Sequence, residues 1–204
     1  MKSEAHPGSF RLMPLTAMIM PLLWPLLAWA HVESGQAGGL LSGLAHPVSG
    51  LDHVLAMVAV GLWGAQMGPP ALWLLPVAFP MMMACGGLLG LMGAPLPGVE
   101  IGIAVSAVVL GALILGQIRL PLIAALLVVG FFAVFHGHAH GTELAPGQNA
   151  MLYSLGFVIS TGLLHGLGIG IGLIHRWQTG RMLLRGAGFL VMAGGLYFLL
   201  GAIA

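Results

Sequence analysis

The chain has 204 residues, 59% of them hydrophobic and 5% charged, and a mean hydropathy of +1.04. Five acids and six bases cannot coat a soluble fold of this size, because soluble domains carry about a quarter charged residues. A formal net charge of +1 excludes an electrostatic nucleic-acid binder. What remains is an all-α polytopic membrane helix bundle, with apolar runs near the roughly 20 residues that a bilayer crossing takes.

Lys2 and Arg11 precede an apolar stretch, Leu12 to Leu27, that closes on the small-x-small pattern Ala28-Trp29-Ala30. Pro14, Pro21 and Pro25 make this stretch a poor permanent helix. Residues 1–30 are therefore expected to be a signal peptide cleaved after Ala30; the alternative is a retained anchor helix. Cleavage would leave His31 at the terminus, with an α-amine and an imidazole able to close on one metal ion.

Residues 31–204 are expected to form one transmembrane domain of about six helices: Gly38–Gly64, Ala71–Gly93, Val99–Gln117, Pro121–Gly141, Ala150–Leu173 and Met182–Ile203. The intervening Gly68-Pro69-Pro70, Ala94-Pro95-Leu96-Pro97-Gly98 and Ala145-Pro146-Gly147-Gln148-Asn149 are turn chemistry. Threaded with Lys2 and Arg11 on the cytoplasmic side, this map puts Arg119, Arg176, Arg181 and Arg185 inside and Glu33, Glu100 and Glu143 outside. That is the positive-inside pattern of a multi-pass inner-membrane protein with its mature N-terminus outside. Gly162, Gly166 and Gly170 form a smooth stripe suited to a tight helix crossing. Cys85, the single cysteine, has no disulfide partner and is expected to be a small buried side chain.

Ionisable groups in hydrocarbon are expensive and mark a pathway or a site. His46, Asp52 and His53 share the first segment. On a continuous helix the two imidazoles would stand about 10 Å apart along one face. Pro47 and Gly50, however, mark His46–Gly50 as a helix break, and broken helices build ion sites from freed carbonyls and half-helix ends. Met57, one turn past His53, offers a thioether but is more simply core. In the fourth segment His136, His140 and Glu143 are spaced four and three apart, which places them on one helical stripe. Two imidazoles and a carboxylate suit a divalent first-row metal. His138 points away from that stripe, exposed or drawing metal to the mouth. His165 is central in the fifth segment, beside Ser160 and Thr161, which read as packing groups. His175 reads as a solvated interfacial residue beside Arg176. Proton relay, a sensor and a structural polar network compete with metal permeation. So does half of a zinc hydrolase site, although no His-Glu-x-x-His supplies a base.

The stretch His46-Pro47-Val48-Ser49-Gly50-Leu51-Asp52-His53 resembles the His-x5-Asp-His motif of the HupE/UreJ family. Phe135-His136-Gly137-His138-Ala139-His140-Gly141-Thr142-Glu143 is similar to that family's second motif, Phe-His-Gly-x-Ala-His-Gly-x-Glu. The likeness runs from about His31 to the C-terminus. It implies a nickel or cobalt permease of about six membrane helices that supplies hydrogenase, urease or cobalamin systems. It implies ligand roles for His46, Asp52, His53, His136, His140 and Glu143, with His165 added from its position in the fifth segment. The metal would be cargo, with no permanently bound cofactor. The expected partners are the divalent ion, the lipid bilayer and hydrogenase or urease maturation proteins. No nucleotide-binding motif is present, and no catalysis is expected. The alternative is a membrane-bound accessory protein that hands nickel to a maturation complex without transporting it; a third reading is a zinc-dependent intramembrane enzyme.

Overall fold

The computed structural model describes residues 36–144, 147 and 149–204. The leader, its cleavage point and His31 lie outside the described residues. Among the described residues seven α-helices carry the fold: α1 (Gln36–Ser49), α2 (Leu51–Met67), α3 (Ala71–Leu91), α4 (Val99–Leu115), α5 (Leu122–Glu143), α6 (Ala150–Gly172) and α7 (Gln178–Ile203). A short 3-10 turn, Leu173–Arg176, joins the last two. No strand occurs among the described residues. The protein is an all-helical membrane bundle.

Five predicted segments are single helices whose ends fall within a few residues of the expected ones. The first is two helices. Gly50, in an extended conformation, separates α1 from α2, and the axes meet at 82°. The predicted break is thus real, though it sits at Gly50, and Pro47 remains inside the last turn of α1.

The count of spans differs from six. Four helical stretches are long and apolar enough to cross a membrane among the described residues, and five if the bent α1–α2 pair is one broken span. α4 is too short by this measure, at 17 residues. Its length is trimmed by turn geometry: Gly98 starts it in the left-handed region at φ 70°, and Gln117 just past its end has φ 54°. At 1.5 Å per residue α4 extends about 26 Å, short of a hydrocarbon core of about 30 Å.

The helices pack through glycine. α3 lies backbone-on-backbone against α5, where a methyl group on Gly86 or Gly137 would collide with the Val134 or Met83 carbonyl. α4 and α7 pair likewise through Gly111 and Gly188. α6 takes both halves of the broken segment in order along its length. Gly156 meets Leu40 and Gly43 meets Tyr153, so α1 sits on the first part of α6. Gly168 meets Val58 and Gly61 meets His165, so α2 sits on the later part. In a bilayer, where apolar surface is not driven out of a polar solvent, close backbone approach of this kind supplies much of the helix–helix attraction.

Two small-residue expectations are overturned. Gly162, Gly166 and Gly170 face open space rather than a helix neighbour. The contacts of α6 run along Gly156, Gly168 and Gly172 instead, roughly a third of a turn or more round the helix. Cys85 is exposed on α3 rather than buried.

At one end of the bundle the connections are basic. Arg119 follows α4, Arg176 lies in the 3-10 turn, Arg181 and Arg185 open α7, and Gln117 Nε2 donates to the Arg181 carbonyl across the two connections. Glu100 opens α4 and Glu143 closes α5 at the opposite end. The dry core at the basic end contains Trp63, Leu110, Ile114 and Leu184, all buried.

Candidate metal centre

The break at Gly50 positions the first half of the site. α2 begins with Asp52 and His53, and the Asp52 carboxylate accepts from the His53 backbone N–H at 2.9 Å and from its Nδ1 at 3.1 Å. A carboxylate in the first turn also meets the positive end of the helix. The pair folds back over Gly50, where a Cβ would stand 2.8 Å from Asp52 Oδ1 and 3.1 Å from His53 Nδ1. With Nδ1 donating to Asp52, the lone pair of His53 is on Nε2, which is buried and has no protein partner. Carboxylate-held imidazoles of this kind present a fixed nitrogen to a metal.

α5 supplies the second half. His136 is fully buried, and its Nε2 lies 3.0 Å from Ser106 Oγ. The Ser106 hydroxyl hydrogen goes to the Ile103 carbonyl at 2.6 Å, so Ser106 accepts from His136 Nε2–H and the His136 lone pair is on Nδ1. That Nδ1 is buried without a partner. One turn on, His140 is buried with neither ring nitrogen hydrogen-bonded. Glu143, half-exposed at the helix end, reaches His46 Nε2 at 3.1 Å and His140 Nδ1 at 4.0 Å.

Two neighbouring sets result. His46, His140 and Glu143 each offer one ligand atom, all within 4.8 Å of one another. Ligands about 2.1 Å from an ion lie about 3 to 3.5 Å apart, so modest side-chain motion closes this set. His53 connects it to the deeper His136: His46–His140, His140–His53 and His53–His136 have ring-centre separations of 4.6, 4.7 and 4.9 Å. The imidazoles therefore form a file from the exposed end inward. The predicted stripe of His136, His140 and Glu143 holds, and it is divided between the two sets. Asp52 contacts His53 rather than the His46 set.

His165 is buried on α6, but no ring contact joins it to His136 among the described residues; each touches Phe79. His138 is turned away from the stripe as expected, yet it is not exposed. It is buried, with Nε2 2.7 Å from the Ala94 carbonyl in the α3–α4 connection. His175 is half-buried, its Nδ1 2.9 Å from the Gly172 carbonyl. Met57 is core. Thr161 is fully buried, its hydroxyl without a partner.

Sequence reasoning missed Ser106, Phe79 and Tyr153. Ser106 had a signal, as the one hydroxyl in the apolar α4. Tyr153 packs against His46 at 5.9 Å, and Phe157 packs against His140 at 4.3 Å. Between α3, α5 and α6 these rings border an apolar crevice of about 240 Å³ that reaches His140.

The family model described as HupE / UreJ protein matches residues 18–198, which include both histidine motifs. The chain belongs to the HupE/UreJ family. A HupE/UreJ relative, Protein HupE of Rhizobium leguminosarum bv. viciae, is 44% identical over 187 residues, 92% of this chain and 97% of that protein. No solved structure matches the chain.

Proposed function

We propose that this HupE/UreJ protein is a permease for a divalent transition metal, nickel or cobalt. The observation that carries the reading is the file of imidazoles running inward from the half-exposed Glu143, with unpartnered buried nitrogens on His140, His53 and His136. Buried polar atoms without partners cost about 1–3 kcal/mol each, and a metal in transit supplies the missing partner.

The ion enters at His46, His140 and Glu143, where one carboxylate offsets part of its charge as water is shed. It passes to His53 and His136, each held in one tautomer by Asp52 and Ser106 respectively. Asp52 acts here chiefly as the group that orients His53. Imidazole donors must be neutral to bind, so uptake falls as acid protonates them. Each set offers two or three protein donors, which leaves coordination positions for water and keeps affinity low enough for release. For nitrogen and oxygen donors the intrinsic order places nickel above cobalt. The arginine-rich end is cytoplasmic by the positive-inside rule, which puts Glu143 outside an inner membrane, and a nickel or cobalt enzyme system inside the cell receives the ion.

The test is uptake of radiolabelled nickel and cobalt into proteoliposomes beside equilibrium binding to the purified protein. Saturable uptake by the wild type, lost in His140→Ala, is the expected result. Binding without uptake in the wild type would sink the permease reading in favour of metal delivery. Undiminished uptake by both His140→Ala and His53→Ala would remove the site.

A further inference from the structure

The file of imidazoles ends at a phenyl ring. Phe79 of α3 has no exposed surface, and its ring centre is 5.4 Å from that of His136 and 5.5 Å from that of His165, edge-to-face with both. Beyond it His165 is almost wholly buried, beside the Pro76 carbonyl, with no well-formed hydrogen bond from either ring nitrogen. The Pro76 carbonyl can engage one ring nitrogen at most, so the other is buried without a partner, which is destabilising. A ligand arriving from the His136 side would account for it.

The backbone around Phe79 differs from the rest of α3. Pro76 and Pro80 lack the N–H groups that would bond the Leu72 and Pro76 carbonyls, so two successive helical hydrogen bonds are missing around this ring. One of the two freed carbonyls, that of Pro76, is the one beside His165. Further along, α3 is fixed to α5 by backbone contact at Gly86 and Gly90. Its first turn is held against α2, where Gly64 meets Ala71 and Leu72. The two-proline segment is thus a joint between two clamped ends.

We propose that Phe79 is the gate of the permeation path: its ring separates the outer imidazoles from His165, and it turns aside on the Pro76–Pro80 joint to pass a divalent ion from His136 to His165. The inference rests on the permease reading above. An apolar ring across a narrow path excludes water and therefore a hydrated ion, so conduction waits on its displacement. The thioether-free, nitrogen-bearing pair on either side gives the ion a donor before and after the barrier.

The test uses the full chain in proteoliposomes with radiolabelled nickel, following uptake, efflux from preloaded vesicles and equilibrium binding. Phe79→Ala should speed both fluxes by about fivefold or more, and Phe79→Trp should slow both by a similar factor, about 1 kcal/mol in the barrier. Binding at the outer imidazoles should change by less than about twofold, well under the effect of losing a ligand. Where Phe79→Ala does not assemble, Phe79→Leu, which keeps bulk but not the ring, takes its place with the same direction expected. Wild-type fluxes in the alanine (or leucine) and tryptophan variants would overturn the gate while leaving the permease intact. Loss of binding in monodisperse Phe79→Leu would also overturn it, by making Phe79 a support for His136. A wild type that binds nickel and carries none refutes the permease reading, and the gate with it.

Discussion

The two ends of the bundle put their buried polar groups to different uses. At the arginine-bearing end, Trp63 Nε1 donates to the Ile118 carbonyl at 2.9 Å and Gln66 Nε2 to the Ile114 carbonyl at 3.3 Å, tying α2 to the end of α4. Those bonds hold helices together, although Gln66 Oε1 is left over. At the Glu143 end, His53, His136 and His140 are positioned by Asp52, Ser106 and ring packing, yet each has a buried nitrogen left over. The contrast separates two uses of the same chemistry. An unpartnered atom alone does not mark a ligand group, since Gln66 Oε1 and His138 Nδ1 are also left over; what sets His53, His136 and His140 apart is that their rings adjoin one another in a file.

Substitution at the two ends should therefore break different things. The largest effect is expected for His140→Ala and His53→Ala, with a fall in metal affinity beyond the roughly 10- to 100-fold that losing a ligand-orienting group costs and a matching loss of uptake, while thermal stability in detergent is kept. Next comes Asp52. If it orients His53, Asp52→Asn retains an acceptor for Nδ1 and loses less uptake than Asp52→Ala; equal and complete losses would instead make the carboxylate a direct ligand. Ser106→Ala sharpens the same point, since it frees His136 Nε2 and should weaken binding by about tenfold, the low end for a ligand-orienting group, measured by equilibrium dialysis. At the other end, Trp63→Phe removes one hydrogen bond and should lower stability by about 1 kcal/mol with uptake unchanged, read from thermal unfolding and transport on one preparation. The smallest effect on transport is expected for His138→Ala, which cuts the bond to Ala94 and costs about 1 kcal/mol of stability. A transport loss there as large as that of His140→Ala would contradict the orientation of α5.

Much of this was legible in the residues. The hydrophobic runs and their Gly-Pro punctuation located the helices, and the i, i+4, i+7 spacing put His136, His140 and Glu143 on one stripe. Pro47 with Gly50 marked the break, because one removes an amide hydrogen and the other relaxes the backbone. The start of α4 at Val99 was legible, and its end fell two residues short of the expected Gln117, where Gln117 itself turns to positive φ. The role of the glycines was not legible. Spacing shows that Gly162, Gly166 and Gly170 share a face, but not which face meets a partner, and α6 uses another. The division of the stripe between His46 and His53 was hidden for a similar reason: it depends on how far a bend of 82° carries one imidazole past the next.

The arrangement of α1 and α2 on α6 has a consequence for register. His46 belongs to one helix and His53 to another, with the single residue Gly50 between the two helices. Their separation is fixed instead by α6, which grips α1 at Gly156 and α2 at Gly168, about 18 Å further along its axis. α6 thus works as a jig. A residue added between Gly156 and Gly168 rotates the two grips by about 100° relative to each other and pulls the outer and inner imidazoles out of line. The tolerance of the metal path is set in a helix that contributes no residue to the outer ligand set.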